Sequence, residues 1–309
     1  MCQDDLSRLS LSQKDRLKHI ELRLRFLGEI QRPALMQRFG IASAAASRDL
    51  ALYKSLAPQN ITYDDKAKRY LLGPAFEPIF PIPTHQILSW IAEQQGDTGA
   101  PSSEPLLPCA VSGRLSLPDP GVLASVTRAI HFEQALCIRY HAISSGESER
   151  EIVPFALLDT GLRWHARAFD RKSLQFRDFV LTRIVEAIPC STPRQQDEHP
   201  AHDIQWNRIV ELELVPHPDQ PRPEITALDY GMHGGVLKVK LRATTAGYSL
   251  RKWSVDCSPD HRLHGPEYRL WLKDDLAIYG VSNAVLAPGY CHPNQQGIKA
   301  DQISGQTLT

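Results

Sequence analysis

The sharpest chemical signal in the 309-residue sequence is a run of cations on one short stretch. In Arg163-Trp164-His165-Ala166-Arg167-Ala168-Phe169, strand geometry puts alternate side chains on opposite faces. Arg163, His165, Arg167 and Phe169 then share one face, and Trp164, Ala166 and Ala168 share the other. Nitrogen-rich side chains at that spacing do not make an ordinary core. The face is either solvated or binds an anion. Arg183, after the apolar run Phe179 to Leu181, adds a cation beside an aromatic ring. Arginine next to Phe and Tyr suits a nucleotide, with the ring stacking on a base and the guanidinium holding a phosphate.

A second set of cations lies near the N-terminus. Residues 1–70 hold 13 Lys and Arg against 8 Asp and Glu, a net of +5, and the remainder holds 22 against 27, a net of −5. A basic head on an acidic body is what a phosphate-contacting module needs. Ser43, Ala44, Ser47, Arg48, Tyr53 and Lys54 are the candidates to face a DNA groove. Small residues at a helix start let it approach closely, and Arg48 can read guanine O6 and N7 in bidentate fashion. Arg32, Lys66, Lys68 and Arg69 are flanking cations that would hold phosphates, which fix position rather than sequence. The competing reading is that Arg48 pairs with Asp49 or faces solvent.

Enzyme chemistry has little support. The sequence contains no GxxxxGK[ST], HExxH, GxSxG or GxGxxG. No cofactor is implied. His199 with His202, and His261 with His264, have loose metal-like spacing but read as solvated loop histidines, so no metal site is expected. Six cysteines, at 2, 109, 137, 190, 257 and 291, form no CxxC pair and read as buried or free thiols of a reducing cytoplasm. No signal peptide or membrane span is apparent, so a cytoplasmic protein is expected.

The elements that must position these residues follow from periodicity. A helix is predicted over 12–30, with Leu17, Ile20, Leu24 and Leu27 on one face. Pro33 suits the first turn of a second helix, to about Arg38. Phe39-Gly40-Ile41 is a tight turn. Ser43 is read as the cap of a third helix to residue 56, with Leu50 and Leu52 as core candidates. Helix, Gly-containing turn, helix is a helix-turn-helix pattern. Ile61–Tyr63 and Arg69–Leu72 form a wing hairpin. A helix is plausible over 83–95, a Gly- and Pro-rich loop over 96–120, and a further helix over 122–132. Four strands follow, over 135–143, 151–158, 162–169 and 176–184, at a spacing that suggests a small barrel. Pro189 to Pro200 reads as a polar linker. Strands 208–215 and 236–242 alternate with helices 219–229 and 244–253. Residues 270–271 and 277–281 are candidates to close that α/β unit.

These residues resemble a known family. Phe39-Gly40-Ile41, Ala46-Ser47-Arg48-Asp49-Leu50, Tyr53, Ala57-Pro58, Tyr63-Asp64 and Lys68-Arg69-Tyr70 resemble the head of WYL-domain repressors found beside bacterial phage-defence islands, the BrxR and CapW type. Gly161 to Phe169, Phe176 to Phe179 and Arg183-Ile184 resemble their WYL core. Val215-Pro216-His217-Pro218 and Asp229 to Met232 resemble their C-terminal WCX domain. The resemblance covers about residues 15–280.

It implies an α+β chain: an N-terminal winged helix-turn-helix over 1–75, a helical linker over 76–132, a Sm-like (SH3-like) β-barrel WYL domain over 133–190, an α/β WCX dimerisation domain over 203–282 and a tail over 283–309. It implies a homodimer on a palindromic double-stranded DNA operator that represses a BREX- or CBASS-like defence operon. A nucleotide or nucleic-acid fragment in the WYL domain would relieve repression. By resemblance, the ligand residues would be Tyr140, His141, Ser144, Arg150, Arg167, Phe179 and Arg183, joined by His165 from the strand face. On this reading, Arg167→Ala and Arg183→Ala spare folding and abolish induction. The family often has Pro-His where this chain has Pro154-Phe155, which bears on the ligand recognised. Two alternatives stay open: a WYL module regulating an enzyme in another chain, and a transcriptional activator.

Overall fold

In the computed structural model, which describes residues 9–92 and 114–292 together with Leu6, Leu107 and Cys109, the chain falls into two units, 1–112 and 113–309. The first unit begins where Ser10 accepts the Gln13 amide at 3.3 Å and caps helix α1 (Leu11–Leu27). Leu17, Ile20 and Leu24 form its buried stripe. The predicted helix stops three residues early because Gly28 turns left-handed, at φ 78°, and sends its amide back to the Leu24 carbonyl. Strand β1 (Glu29–Ile30) follows. It is too short to carry a periodic signal, and it was not anticipated.

Helix α2 (Arg32–Phe39) ends at Gly40, φ 60°, and α3 (Ser43–Leu56) follows. Leu35, Ala46, Leu50 and Tyr53 close the core against α1. Ser43 is not a cap: Ala42 holds that position and Ser43 is the first helical residue. Strands β2 (Ile61–Asp64) and β3 (Arg69–Leu72) form the wing, and β1 adds to β3 to give an antiparallel sheet in the order β1-β3-β2. Helix α4 (Thr84–Ala92) is the last described helix of this unit. Most of the predicted 96–120 loop and the end of the tail lie outside the described residues.

In the second unit, Asp119 caps α5 (Pro120–His131) by accepting the Gly121 and Val122 amides. Five antiparallel strands follow: β4 (Gln134–Ala142), β5 (Gly146–Asp159), β6 (Trp164–Asp170), β7 (Gln175–Val180) and β8 (Ile184–Pro193). They pair in the order β7-β6-β5-β4-β8, with a 3-10 turn, Leu181–Arg183, between β7 and β8. Four strands of a small barrel were expected and five are present, and among the described residues no pairing joins β7 to β8. Val126 of α5 packs with Leu136, Ile138, Ile152, Ala166, Ala168 and Leu181.

The linker predicted from Pro189 begins later, because β8 runs through Pro193 and pairs with β4. As an edge strand, β8 tolerates prolines whose missing N–H faces outward. The same pairing corrects the cysteine reading. Cys137 and Cys190, 53 residues apart in sequence, form a disulfide between β4 and β8 with their Cα atoms 5.6 Å apart. No local spacing could reveal that pair. Cys109, Cys257 and Cys291 are free.

Beyond the linker come α6 (Ile204–Asn207), β9 (Ile209–Pro216), α7 (Pro223–Asp229), β10 (Leu237–Arg242), α8 (Ala243–Lys252), β11 (Val255–Asp256) and β12 (Leu270–Leu272). Their sheet runs β10-β9-β12-β11. Val210, Leu212 and Leu214 meet Ala246 and Leu250 of α8 on one face. The other face carries Lys238–Glu213 and Lys240–Glu211 pairs in solvent. Of the segments expected to close the unit, 270–271 lies in β12, whereas 277–281 is not a strand: it starts inside a 3-10 turn, Asp275–Ile278, capped by Asp274.

Candidate functional site

The head presents α3 with its cations free. Arg48 is exposed and has no hydrogen-bond or ion-pair partner among the described residues. Asp49 beside it is buried and taken by Arg16, whose Nε and Nη2 donate to its carboxylate at 2.6 and 3.4 Å. The Arg48–Asp49 pair of the competing reading is therefore excluded by a partner from α1, while its other half, an Arg48 that faces solvent, matches this structure. Ser43 and Ala44 are exposed at the helix start, and no side chain caps the first-turn amides. Those amides and the helix dipole favour a negative group there. The Ser47 hydroxyl donates to the Ser43 carbonyl at 3.0 Å. Lys54 and Arg32 are exposed. Tyr53, grouped with these candidates by sequence, is fully buried.

In the wing, Asp64 accepts the Lys66 and Ala67 amides at 3.0 Å each, folding the turn and leaving Lys66 and Lys68 exposed. Arg69 departs from the expected pattern: its guanidinium holds Glu29 at 2.5 Å, tying β3 to β1.

Sequence reasoning missed the hub beneath α3. Glu21, buried on α1, accepts the Tyr53 hydroxyl and the Ile79 and Phe80 amides, each at 3.0 Å. Burial raises its carboxyl pKa, while these hydrogen bonds oppose the rise. Asn60 donates to the Tyr53 hydroxyl and to the Glu77 carbonyl. The signal was present: Glu21 lies four residues after Leu17 and three before Leu24, on the apolar stripe itself.

The cationic face of β6 is built differently. Ala166 and Ala168 point into the sheet core as predicted, but His165, Arg167 and Phe169 on the opposite face are buried as well. Arg167 Nε and Nη2 donate to both oxygens of Asp203, at 2.7 and 3.0 Å, and Nη1 donates to Asp178 at 3.0 Å. The Tyr248 hydroxyl of α8 donates to the other Asp178 oxygen at 3.3 Å. Arg167 thus has its counter-charges within the chain, and the expectation that its face is either solvated or open to an outside anion is corrected. The expectation that Arg167→Ala spares folding falls with it. His165 lies with its ring 5.2 Å from that of Tyr248, and its Nδ1 is buried without a partner. Burial lowers its pKa, helped by the fields of Arg163 and Arg183 and opposed by Asp178.

The remaining predicted ligand residues are scattered. Arg183 is half-buried, Arg163 is exposed, and neither side chain has a hydrogen-bond or ion-pair partner among the described residues. Tyr140 and Phe179 are core residues packed edge to face at 5.2 Å, so neither offers an open stacking surface. Arg150 is tied to Asp170 at 2.7 Å. His141 is exposed beside Glu147 at 3.3 Å, and Ser144 is exposed in the β4–β5 turn. Arg171, in the turn between β6 and β7, holds Glu198 at 2.5 and 2.8 Å and also contacts Glu151, Thr192 and the Pro193 carbonyl.

Of the loop histidines, His261 and His264 lie at the surface beside one acid. Asp219 approaches His264 at 2.7 Å and His261 at 3.6 Å, and buried His217 meets Asp256 at 3.2 Å. Among the described residues, no group of three or more His, Cys, Asp or Glu is arranged to hold a metal ion. Nor is any described helix long and apolar enough to cross a membrane.

Family models match three stretches in order. Residues 12–93 match the BrxR transcriptional regulator winged helix-turn-helix domain, 121–189 the WYL domain, and 209–278 the BrxR transcriptional regulator C-terminal dimerization domain. The chain is 30% identical to the DNA-binding transcriptional repressor CapW of Escherichia coli strain KTE188, over 87% of this chain and 91% of that protein. The same identity relates it to the CapW repressor of Stenotrophomonas maltophilia, over 87% and 95%, and to that of Pseudomonas aeruginosa, over 82% and 86%. Among solved structures, the proteasome accessory factor B/C of Arthrobacter aurescens shares 18% identity at a TM-score of 0.29, over 79% of this chain and 46% of that one. That superposition is too loose to carry the fold across.

Proposed function

The chain belongs to the family of CapW and BrxR transcriptional regulators, and on that premise we propose that it is a homodimeric, DNA-binding transcriptional repressor rather than an enzyme. The observation that carries this reading is the state of α3. Arg48 is exposed and without a partner among the described residues, while its neighbour Asp49 is bound to Arg16. An unpaired arginine on a helix that begins with small, exposed residues suits major-groove readout. Two copies joined through the region of the dimerization-domain match would present two such helices. The operator is then an inverted repeat with half-sites about 10–10.5 bp apart or a multiple of that.

The repressed genes, in this proposal, form a phage-defence operon of the BREX or CBASS type, and the protein works in the cytoplasm. The derepressing ligand is a nucleotide or nucleic-acid fragment at the WYL face. In this proposal Arg183 and Arg163 meet its phosphate, and His165, Arg167, His141 and Ser144 are further ligand candidates from the sequence. Support comes from Arg183 and Arg163, which have no hydrogen-bond or ion-pair partner among the described residues. A gel shift on the DNA upstream of the gene, together with a promoter reporter, tests the proposal. Repression lost on deleting the gene is expected, and activation would contradict it.

A further inference from the structure

We propose that the acidic stretch from Glu198 to Asp203 is an internal occupant of the arginine face of the WYL sheet, and that a phosphate-bearing ligand induces the protein by displacing it. The inference rests on the ligand reading of that face. Arg167 on β6 and Arg171 in the turn after it both send their guanidinium groups to this stretch. Each grips a carboxylate with two prongs: Arg167 holds Asp203 at 2.7 and 3.0 Å, and Arg171 holds Glu198 at 2.5 and 2.8 Å. Both carboxylates are only 2% exposed. A forked guanidinium pair recognises a phosphate by the same geometry. The stretch therefore occupies, with its own acids, donors that an outside phosphate would use.

Two features make the occupant displaceable. Each carboxylate has further donors on its own segment. Asp203 accepts the Gln205 and Trp206 amides at 3.0 and 3.1 Å, and Glu198 accepts the Gln195 amide at 2.7 Å. Once displaced into water, each acid keeps these amides and is no longer a buried unpaired charge. The arginine is not stranded either, because one anion replaces another and Asp178 stays bound throughout. Exchange thus avoids the large cost of a buried unpaired charge. The unpaired Arg183 and Arg163 supply the bias, since they reward a ligand carrying more charge than one carboxylate.

The consequence is mechanical. Asp203 caps α6, which leads directly into the region that matches the dimerization domain. Releasing the stretch uncouples that region from the WYL sheet, which alters the two-fold arrangement that sets half-site spacing. Occupancy by internal acids also lowers the apparent ligand affinity by the fraction of protein in the open state.

The test uses the full-length dimer and inorganic pyrophosphate as the probe. It compares wild type with Asp203→Asn, which keeps the cap oxygen but removes the charge, and with Asp178→Asn and Arg183→Ala. Pyrophosphate binding is read by calorimetry, operator binding by fluorescence anisotropy, and amide exchange over residues 194–206 with and without pyrophosphate. Asp203→Asn should bind pyrophosphate roughly tenfold more tightly than wild type and bind the operator more weakly without it. Wild-type residues 194–206 should exchange faster when pyrophosphate is bound. Asp178→Asn should leave operator binding within about twofold, because the acidic stretch stays gripped. Equal pyrophosphate affinity in wild type and Asp203→Asn, with wild-type exchange unchanged by bound pyrophosphate, would overturn the proposal. If Arg183→Ala still loses that binding, the ligand reading survives. Absence of pyrophosphate binding in all four proteins would overturn both. The wild-type exchange measurement keeps the proposal falsifiable even if a variant fails to fold.

Discussion

Arg48 in the head and Arg167 in the WYL sheet look alike in sequence and have opposite fates in the fold. Each is a cation on a regular element with small residues nearby. Arg48 stays in solvent because its neighbouring acid goes elsewhere, to Arg16. Arg167 is buried because two acids come to it, one from β7 and one from the cap of α6. Periodicity tells which face a side chain occupies, not what covers that face. The destination of nearby carboxylates decides whether an arginine is a site or a strut.

The largest expected effect sharpens this contrast on the strut side. Arg167→Ala leaves Asp178 and Asp203 buried without their shared counter-charge, and should destabilise the second unit by about 3–5 kcal/mol. Chemical denaturation of the full chain checks this. A loss below about 1 kcal/mol would mean that the pairs are exposed in solution.

Next comes the free arginine. Arg48→Ala should cost about 1–3 kcal/mol of operator binding and relax specificity at one base pair per half-site. Its effect on stability should stay within about 0.5 kcal/mol, as for a surface residue without partners. A melting shift comparable to that of Arg167→Ala would erase the distinction.

A pH titration probes the head by another route. Burial, with Arg23 and Arg38 nearby, lowers the His19 pKa from 6.5 to about 3. A depressed histidine contributes stability that is present above pH 6.5 and is lost as pH falls toward 3. The head should therefore weaken with acid across that window, by up to about 1.4 kcal/mol per pH unit. His19→Leu should flatten the slope relative to wild type. An unchanged slope would show that His19 titrates normally.

The smallest effect is at the wing. Lys66→Ala should weaken all DNA sequences alike and reduce the salt dependence by about one phosphate contact. Altered sequence preference in this variant would move base readout from α3 to the wing.

What was legible in the sequence follows the same divide. The head's helices were readable because Leu17, Ile20, Leu24, Gly28 and Gly40 are local signals of stripe and stop. Strands β4 to β7 were readable from period-two patterning. Long-range placement was not. β8 was hidden by Pro189, which breaks a strand pattern but is tolerated at a sheet edge. The Cys137–Cys190 bond depended on that hidden pairing. The site was legible to the same depth: the Arg163–Arg167 face was seen, whereas Asp203, 36 residues beyond Arg167 and covering it, was not.

The most direct test is footprinting of the purified dimer on the DNA upstream of its own gene, with wild type and Arg48→Ala side by side at matched salt. The account predicts two inverted half-sites protected by wild type, and for Arg48→Ala a loss of affinity of about tenfold or more at unchanged melting temperature. A single unrepeated half-site, or equal protection by both proteins, would contradict it.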